Sequence, residues 1–136
     1  MAETETRKYK KYVIDEPIIT SDYLYHDKPK EEPFRMYMCS DLVPEATAFA
    51  DVFWRTKLPD PNPTCQMHAH PVPQLLMFVG EDGSWEVEVP LDDEVYTINK
   101  TTAIWIPANV MHNVKYNRID KPMMETGILI GQGTYS

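Results

Sequence analysis

From residue 34 onward the chain alternates apolar and polar positions in short stretches. Trp85, Val87 and Val89 are apolar where Glu86 and Glu88 are acidic, the period of two that a strand with one wet face produces. The stretches 34–38, 48–56, 74–79, 94–99, 102–106, 110–116 and 124–130 carry aromatic and β-branched residues at similar spacing and read as further strands. Another strand is expected from about Thr64 to His70. It turns at Pro71-Val72-Pro73, so that it and the 74–79 strand face each other across a hairpin. Residues 40–45 read as a loop, and 46–50 as a possible helical turn at the start of the 48–56 stretch. Pro59-Asp60-Pro61-Asn62-Pro63 breaks the chain, because three alternate prolines remove ladder donors and fix φ. Turns are expected at Gly80-Glu81-Asp82-Gly83, Pro107-Ala108-Asn109 and Asp120-Lys121-Pro122. No amphipathic helix, βαβ alternation or internal repeat appears, so the pattern predicts an all-β barrel or sandwich.

Residues 1–32 differ in character. They are rich in charge and interrupted by Pro17 and Pro29, and read as an N-terminal arm with short extended pieces, its Tyr23-Leu24-Tyr25 stretch packing on the barrel or on a neighbouring subunit. Residues 33–136 form the barrel domain. At 136 residues the chain fits one domain. A net charge of −8 repels phosphate backbones and anionic lipid, and the basic run Arg7-Lys8-Tyr9-Lys10-Lys11 is too short to reverse this. Nucleic acid and membrane are therefore not expected partners. The polar, acidic Met1-Ala2-Glu3-Thr4-Glu5 lacks an apolar segment behind it, which places the protein in the cytoplasm and leaves Cys39 and Cys65 as reduced, packed thiols.

Chemistry concentrates in the histidines. In His68-Ala69-His70 a period of two puts both imidazoles on one face of a strand, a ready pair of metal ligands. Gln74, on the strand after the Pro71-Val72-Pro73 turn, can reach the same point with its side-chain oxygen, and His112 supplies a ligand from a distant strand. By the same parity Gln66, Leu76, Phe78, Val110, Val114 and Tyr116 are expected to line a mostly apolar pocket. His26, in the arm, reads as an exposed residue. Trp54, Trp85 and Trp105 read as core or interface residues, and Met77, Met111, Met123 and Met124 as core filler.

These residues resemble the two motifs of the cupin family. The first runs Asn62, five residues, His68-Ala69-His70, three residues, Gln74, with Gly80 one place early. The second runs Thr101, five residues, Pro107-Ala108-Asn109, two residues, His112, with Asn117 one place late. The resemblance implies a cupin double-stranded β-helix, or jelly-roll, barrel and a homodimer. It also implies one divalent transition metal held by His68, His70, His112 and Gln74. Iron or zinc is expected first, and manganese, nickel and copper also suit imidazole. Asn62 and Asn109 stand where the family has glycine, which asparagine's tolerance of left-handed backbone accommodates. Gln74 stands where it has glutamate. A neutral amide leaves the metal its full charge, favours an anionic ligand, and cannot serve as a base.

Two functions follow. The first is an enzyme acting on a small organic oxyanion, enolate or diol. It would be dioxygenase-like, hence an oxidoreductase, with iron, or an isomerase, lyase or decarboxylase with a redox-inert metal. No residue is assigned a catalytic role. The second is a non-catalytic binder of a metal or small molecule with a sensing, storage or interaction role.

Overall fold

A computed structural model describes residues 7–20 and 34–136. Among the described residues, nine strands form two antiparallel sheets. The larger has the order β1 (Ile18–Thr20), β2 (Phe34–Met38), β3 (Ala48–Arg55), β9 (Met123–Ile130), β4 (Gln74–Gly80), β7 (Thr102–Ile106). The smaller has the order β6 (Glu94–Ile98), β5 (Trp85–Leu91), β8 (Lys115–Ile119). The only helical element among the described residues is a 3-10 turn at Lys10–Tyr12. Residues 46–50 form no helical turn, because Ala48 already pairs with Ile130 in the sheet. The arm supplies one extended piece, β1, whose Ile18 pairs with Met36 at the sheet edge. Tyr23, Leu24, Tyr25 and His26 lie outside the described residues.

Alternation along each strand decides what the sheets enclose. The inward positions of β3 are Phe49, Asp51, Phe53 and Arg55, and those of β9 are Met123, Glu125, Gly127 and Leu129, all buried apart from the glycine's missing side chain. Register aligns these positions in rows across the sheet: Phe49, Leu129, Gln74 and Ile106 in one, Asp51, Gly127 and Leu76 in the next, Phe53, Glu125 and Phe78 in the third. Trp85, Val87, Val89 and Tyr116 of the small sheet close on this face. With Leu76, Phe78, Ile106, Val114 and Met123 they make the main core. A second, smaller core of Phe34, Cys39, Phe49, Phe53 and Leu129 fills the side nearer the arm.

Two strand expectations need correcting. Residues 64–70 form no ladder strand: Cys65 and His68 make isolated bridges only. Gln74 therefore does not sit across a hairpin from the histidine pair, and β4 pairs instead with β7 and β9. Likewise 110–114 is irregular, and β8 begins only at Lys115. Neither segment contains proline, but 64–70 lies between Pro63 and Pro71 and 110–114 follows Pro107, and the two meet each other through the isolated His68–His112 bridge.

Candidate metal centre

The two irregular segments are stitched to each other by their backbones. His68 N–H donates to the His112 carbonyl at 3.1 Å and His112 N–H to the His68 carbonyl at 2.8 Å, while Asn109 N–H reaches the His70 carbonyl at 2.8 Å. Asn109 turns the chain at φ 68°, the left-handed conformation its motif position requires. Asn62 acts differently, and its backbone is not left-handed. Its side-chain amide donates to the Tyr116 carbonyl at 2.7 Å and accepts from Tyr116 N–H at 3.0 Å, pinning the proline-rich loop to β8 like a single rung of sheet. Asp92 holds the other side, its Oδ1 accepting Met111 N–H at 2.9 Å.

The result is a cluster of three imidazoles. Ring centroids lie 4.9 Å apart for His68 and His70, 4.5 Å for His68 and His112, and 5.2 Å for His70 and His112. Each Nδ1 faces a carbonyl: that of Gln66 at 2.7 Å, of Ser136 at 2.5 Å and of Val110 at 3.0 Å for His68, His70 and His112 in turn. Such carbonyls accept a hydrogen bond from Nδ1–H and so leave Nε2 with its lone pair free of a proton, as metal-ligating histidines require. The candidate ligand atoms all lie within 4.8 Å of one another. Burial lowers the His68 pKa to about 4, and its histidine neighbours push the same way against the Gln66 carbonyl. Burial also lowers that of His70. The neutral form, the one that binds metal, is thereby favoured. The donor set fits a divalent metal, and these histidines could hold one.

Gln74 carries a further sign of fit: its Oε1 is buried and has no hydrogen-bond partner, a cost that a metal ion or a bound donor would relieve. Its side chain lines the same cavity as His68 and His112, about 40 Å³ in volume. Of the other expected pocket residues, Leu76 and Val114 line it. Phe78 and Tyr116 lie in the main core and do not line it, and Val110 packs against that core, half-buried. Gln66 does not line it either. Its side chain is exposed because strand parity fails where no strand forms, and only its carbonyl serves the site.

The cavity wall is also more polar than parity suggested. Asp51 and Glu125 face into it, with Thr64, Cys65, Asn113 and Tyr135. Cys65 donates from Sγ to Asn113 Oδ1 at 2.7 Å, and Asn113 returns a bond to the Cys65 carbonyl at 3.1 Å. Both cysteines are free and buried. Glu125 accepts from the Tyr116 hydroxyl. Burial raises its pKa, against the pull of the Arg55 charge and of the Tyr116 bond. Arg55 lies over the Phe53 and Tyr116 rings, at 4.6 and 5.2 Å. Asp51 Oδ1 accepts Gly127 N–H at 2.9 Å. A Cβ at Gly127 would stand 3.0 Å from Gln74 Nε2 and 3.1 Å from Asp51 Oδ1, so the glycine keeps this part of the cavity open. The pattern did carry a signal for these acids: Asp51 and Glu125 occupy inward parity among Phe49, Phe53, Met123 and Leu129. For Tyr135 there was none.

No family model matches the sequence, and no curated protein is significantly similar to it. Solved structures are similar in fold. An RmlC-like cupin from Shewanella frigidimarina shares 14% identity over 85% of this chain and 84% of its own, with a TM-score of 0.51. The chain has the cupin fold. Hydroxypropylphosphonic acid epoxidase from S. wedmorenis matches the fold at 11% identity over 87% of the chain and 57% of its own, TM-score 0.54. The FeII form of HppE does so at 11% over 85% and 57%, TM-score 0.57. No helix among the described residues is long and apolar enough to cross a membrane.

Proposed function

We propose that this cupin is a metal-dependent enzyme acting on a small hydroxylated compound, a diol or enol, that binds the metal through oxygen. The observation that carries the reading is the buried cluster of His68, His70 and His112, each Nδ1 facing a carbonyl, with His68 and His112 lining a cavity. Iron is the first metal to test, since a protein of the same fold is known in an FeII form, and zinc the second. A bound ion would supply Lewis acidity, and with iron also redox chemistry.

The chain's own residues support a small, hydroxylated substrate. A cavity of about 40 Å³ admits only a small molecule. Asp51, Glu125 and the Gln74 oxygen present acceptors to it, which suits a ligand with hydroxyl donors better than a bare anion. Gln74 cannot take a proton, but two carboxylates one and two rows deeper can. Glu125, whose burial favours the protonated form, is the group to hold and deliver a proton. The Asp51 carboxylate is the group to accept one.

A second copy of the chain is the expected partner. The outward faces of β3, β9, β4 and β7 carry Ala50, Val52, Trp54, Leu75, Met77, Val79, Ala103, Trp105, Met124, Ile128 and Ile130, with no charged residue among them. Trp54 and Trp105 are each 56% exposed. An uncharged area over these four strands, on a chain of net charge −8, suits a symmetric dimer.

The test is elemental analysis of untagged protein beside a His68→Ala, His112→Ala variant, followed by turnover assays with small diols and 2-hydroxy acids under the metal found. Stoichiometric metal lost in the variant, with turnover of a panel member, supports the enzyme. Metal without turnover on any panel member favours a non-catalytic binder. Metal-free protein after anaerobic reconstitution overturns the metalloenzyme.

A further inference from the structure

The tail that follows β9 folds back over the histidine cluster. Gly131 turns it at φ 94°, a conformation that favours glycine, and its N–H donates to the Thr47 carbonyl at 2.8 Å. Gly133 lies so close to Ser40 that an added Cβ would stand 2.9 Å from the serine Cβ. The Gly133 carbonyl accepts from Ser40 N–H at 2.8 Å and from Ser40 Oγ at 3.2 Å. A close approach that only glycine allows thus fixes where the next residues go. They bring the Tyr135 ring 5.0 Å from His70 and 5.1 Å from Phe49, and its hydroxyl to 3.4 Å from His68 Nε2.

That distance has a specific meaning. Two donor atoms bound to one metal at about 2.0–2.1 Å in tetrahedral geometry stand about 3.3–3.4 Å apart. The Tyr135 oxygen is therefore spaced from His68 Nε2 as a fellow ligand would be, and it lines the cavity that Gln74 also faces. We propose that Tyr135 is a ligand of the metal, supplying through its phenolic oxygen the negative charge that Gln74 cannot. This rests on the metal-centre reading above. It accounts for the way Gly131 and Gly133 fasten the tail against the barrel mouth, and it gives three neutral imidazoles an anionic companion. The coordinated phenol releases its proton to solvent, so the metal's net charge falls by one.

The test loads the full chain and its Tyr135→Phe variant with Fe(III) and, separately, Cu(II), measuring metal stoichiometry and visible absorption together. Phenylalanine keeps the ring packing against Phe49 and His70, so the variant tests the oxygen alone. The expected result is a visible phenolate-to-metal charge-transfer band in the wild type that is absent from the variant, with both proteins holding one metal. Stoichiometric metal with the same spectrum in both overturns the Tyr135 assignment and leaves the histidine site standing. If the wild type takes up no metal, both readings fall. Should Tyr135→Phe alone lose the metal, unchanged far-UV circular dichroism would support ligation. An altered spectrum would assign the tyrosine to holding the tail in place and overturn the proposal.

Discussion

The interior has two ends built by different means. At one, Phe78, Trp85, Val87, Val89, Tyr116 and Met123 are buried almost completely and come from regular strands whose alternation faces them inward. At the other, His68, His70 and His112 are also buried but come from segments that form no ladder, held by a few backbone bonds, by Asn62 and by Asp92. The first end is a packing problem, with stability spread over many contacts. The second converges three imidazoles on one point, which period-two strands alone cannot arrange. Buried groups that would be costly alone, among them Asp51, Arg55 and Glu125, lie between the two.

The sharpest way to break the contrast is to damage the packed end. Trp85→Ala should destabilise by about 3–5 kcal/mol, as removal of a fully buried aromatic side chain does, read as a lower urea midpoint. Metal stoichiometry at low temperature should be unchanged if the backbone bonds between His68 and His112 hold the site without that layer. Loss of metal in the folded variant would mean that the ends are coupled.

Removing metal attacks the other end. Titrating the loaded protein with a chelator should lower the unfolding temperature, by the equivalent of about 3–4 kcal/mol if free metal had been at 100 to 1,000 times its dissociation constant. In His112→Ala the chelator should do nothing, and an equal shift there would place the stabilising metal elsewhere.

Acid should act at the same end. The unfolded chain protonates His68 near its ordinary value of about 6.5, whereas burial holds the folded imidazole neutral until about pH 4. Protons therefore favour the unfolded state across this window. Stability from the neutral site is complete above 6.5 and is lost as pH falls towards 4. Calorimetry of metal-free protein should show this fall, and a shallower one in His68→Gln. Parallel slopes in the two proteins would remove His68 as the cause.

The smallest effect sharpens how the irregular segments are held. Asn62→Ala forfeits both bonds to Tyr116 and should cost about 1–3 kcal/mol, with a weaker metal affinity because the loop leading to His68 is released. Urea titration and competition with a metal indicator would measure the two, and an unchanged affinity would show that the backbone bridge between His68 and His112 suffices.

The sequence by itself determined most of the strands, the two histidine motifs and hence the barrel, because alternation and turn chemistry are local and follow from each residue's own neighbours. Residues 34–38 and 102–106 fall where alternation put them. The acids at Asp51 and Glu125 stand at inward parity, a local signal that the expectation of a mostly apolar pocket passed over, and their meeting in one cavity had no local signal. Only the tertiary structure decided that 64–70 is no strand, that Gln74 joins the site through β9 and β7 rather than a hairpin, and that Tyr135 returns to the histidines. Those outcomes depend on contacts between residues tens of positions apart. Hydrogen-bond satisfaction across the whole fold settles them, and no local period encodes it.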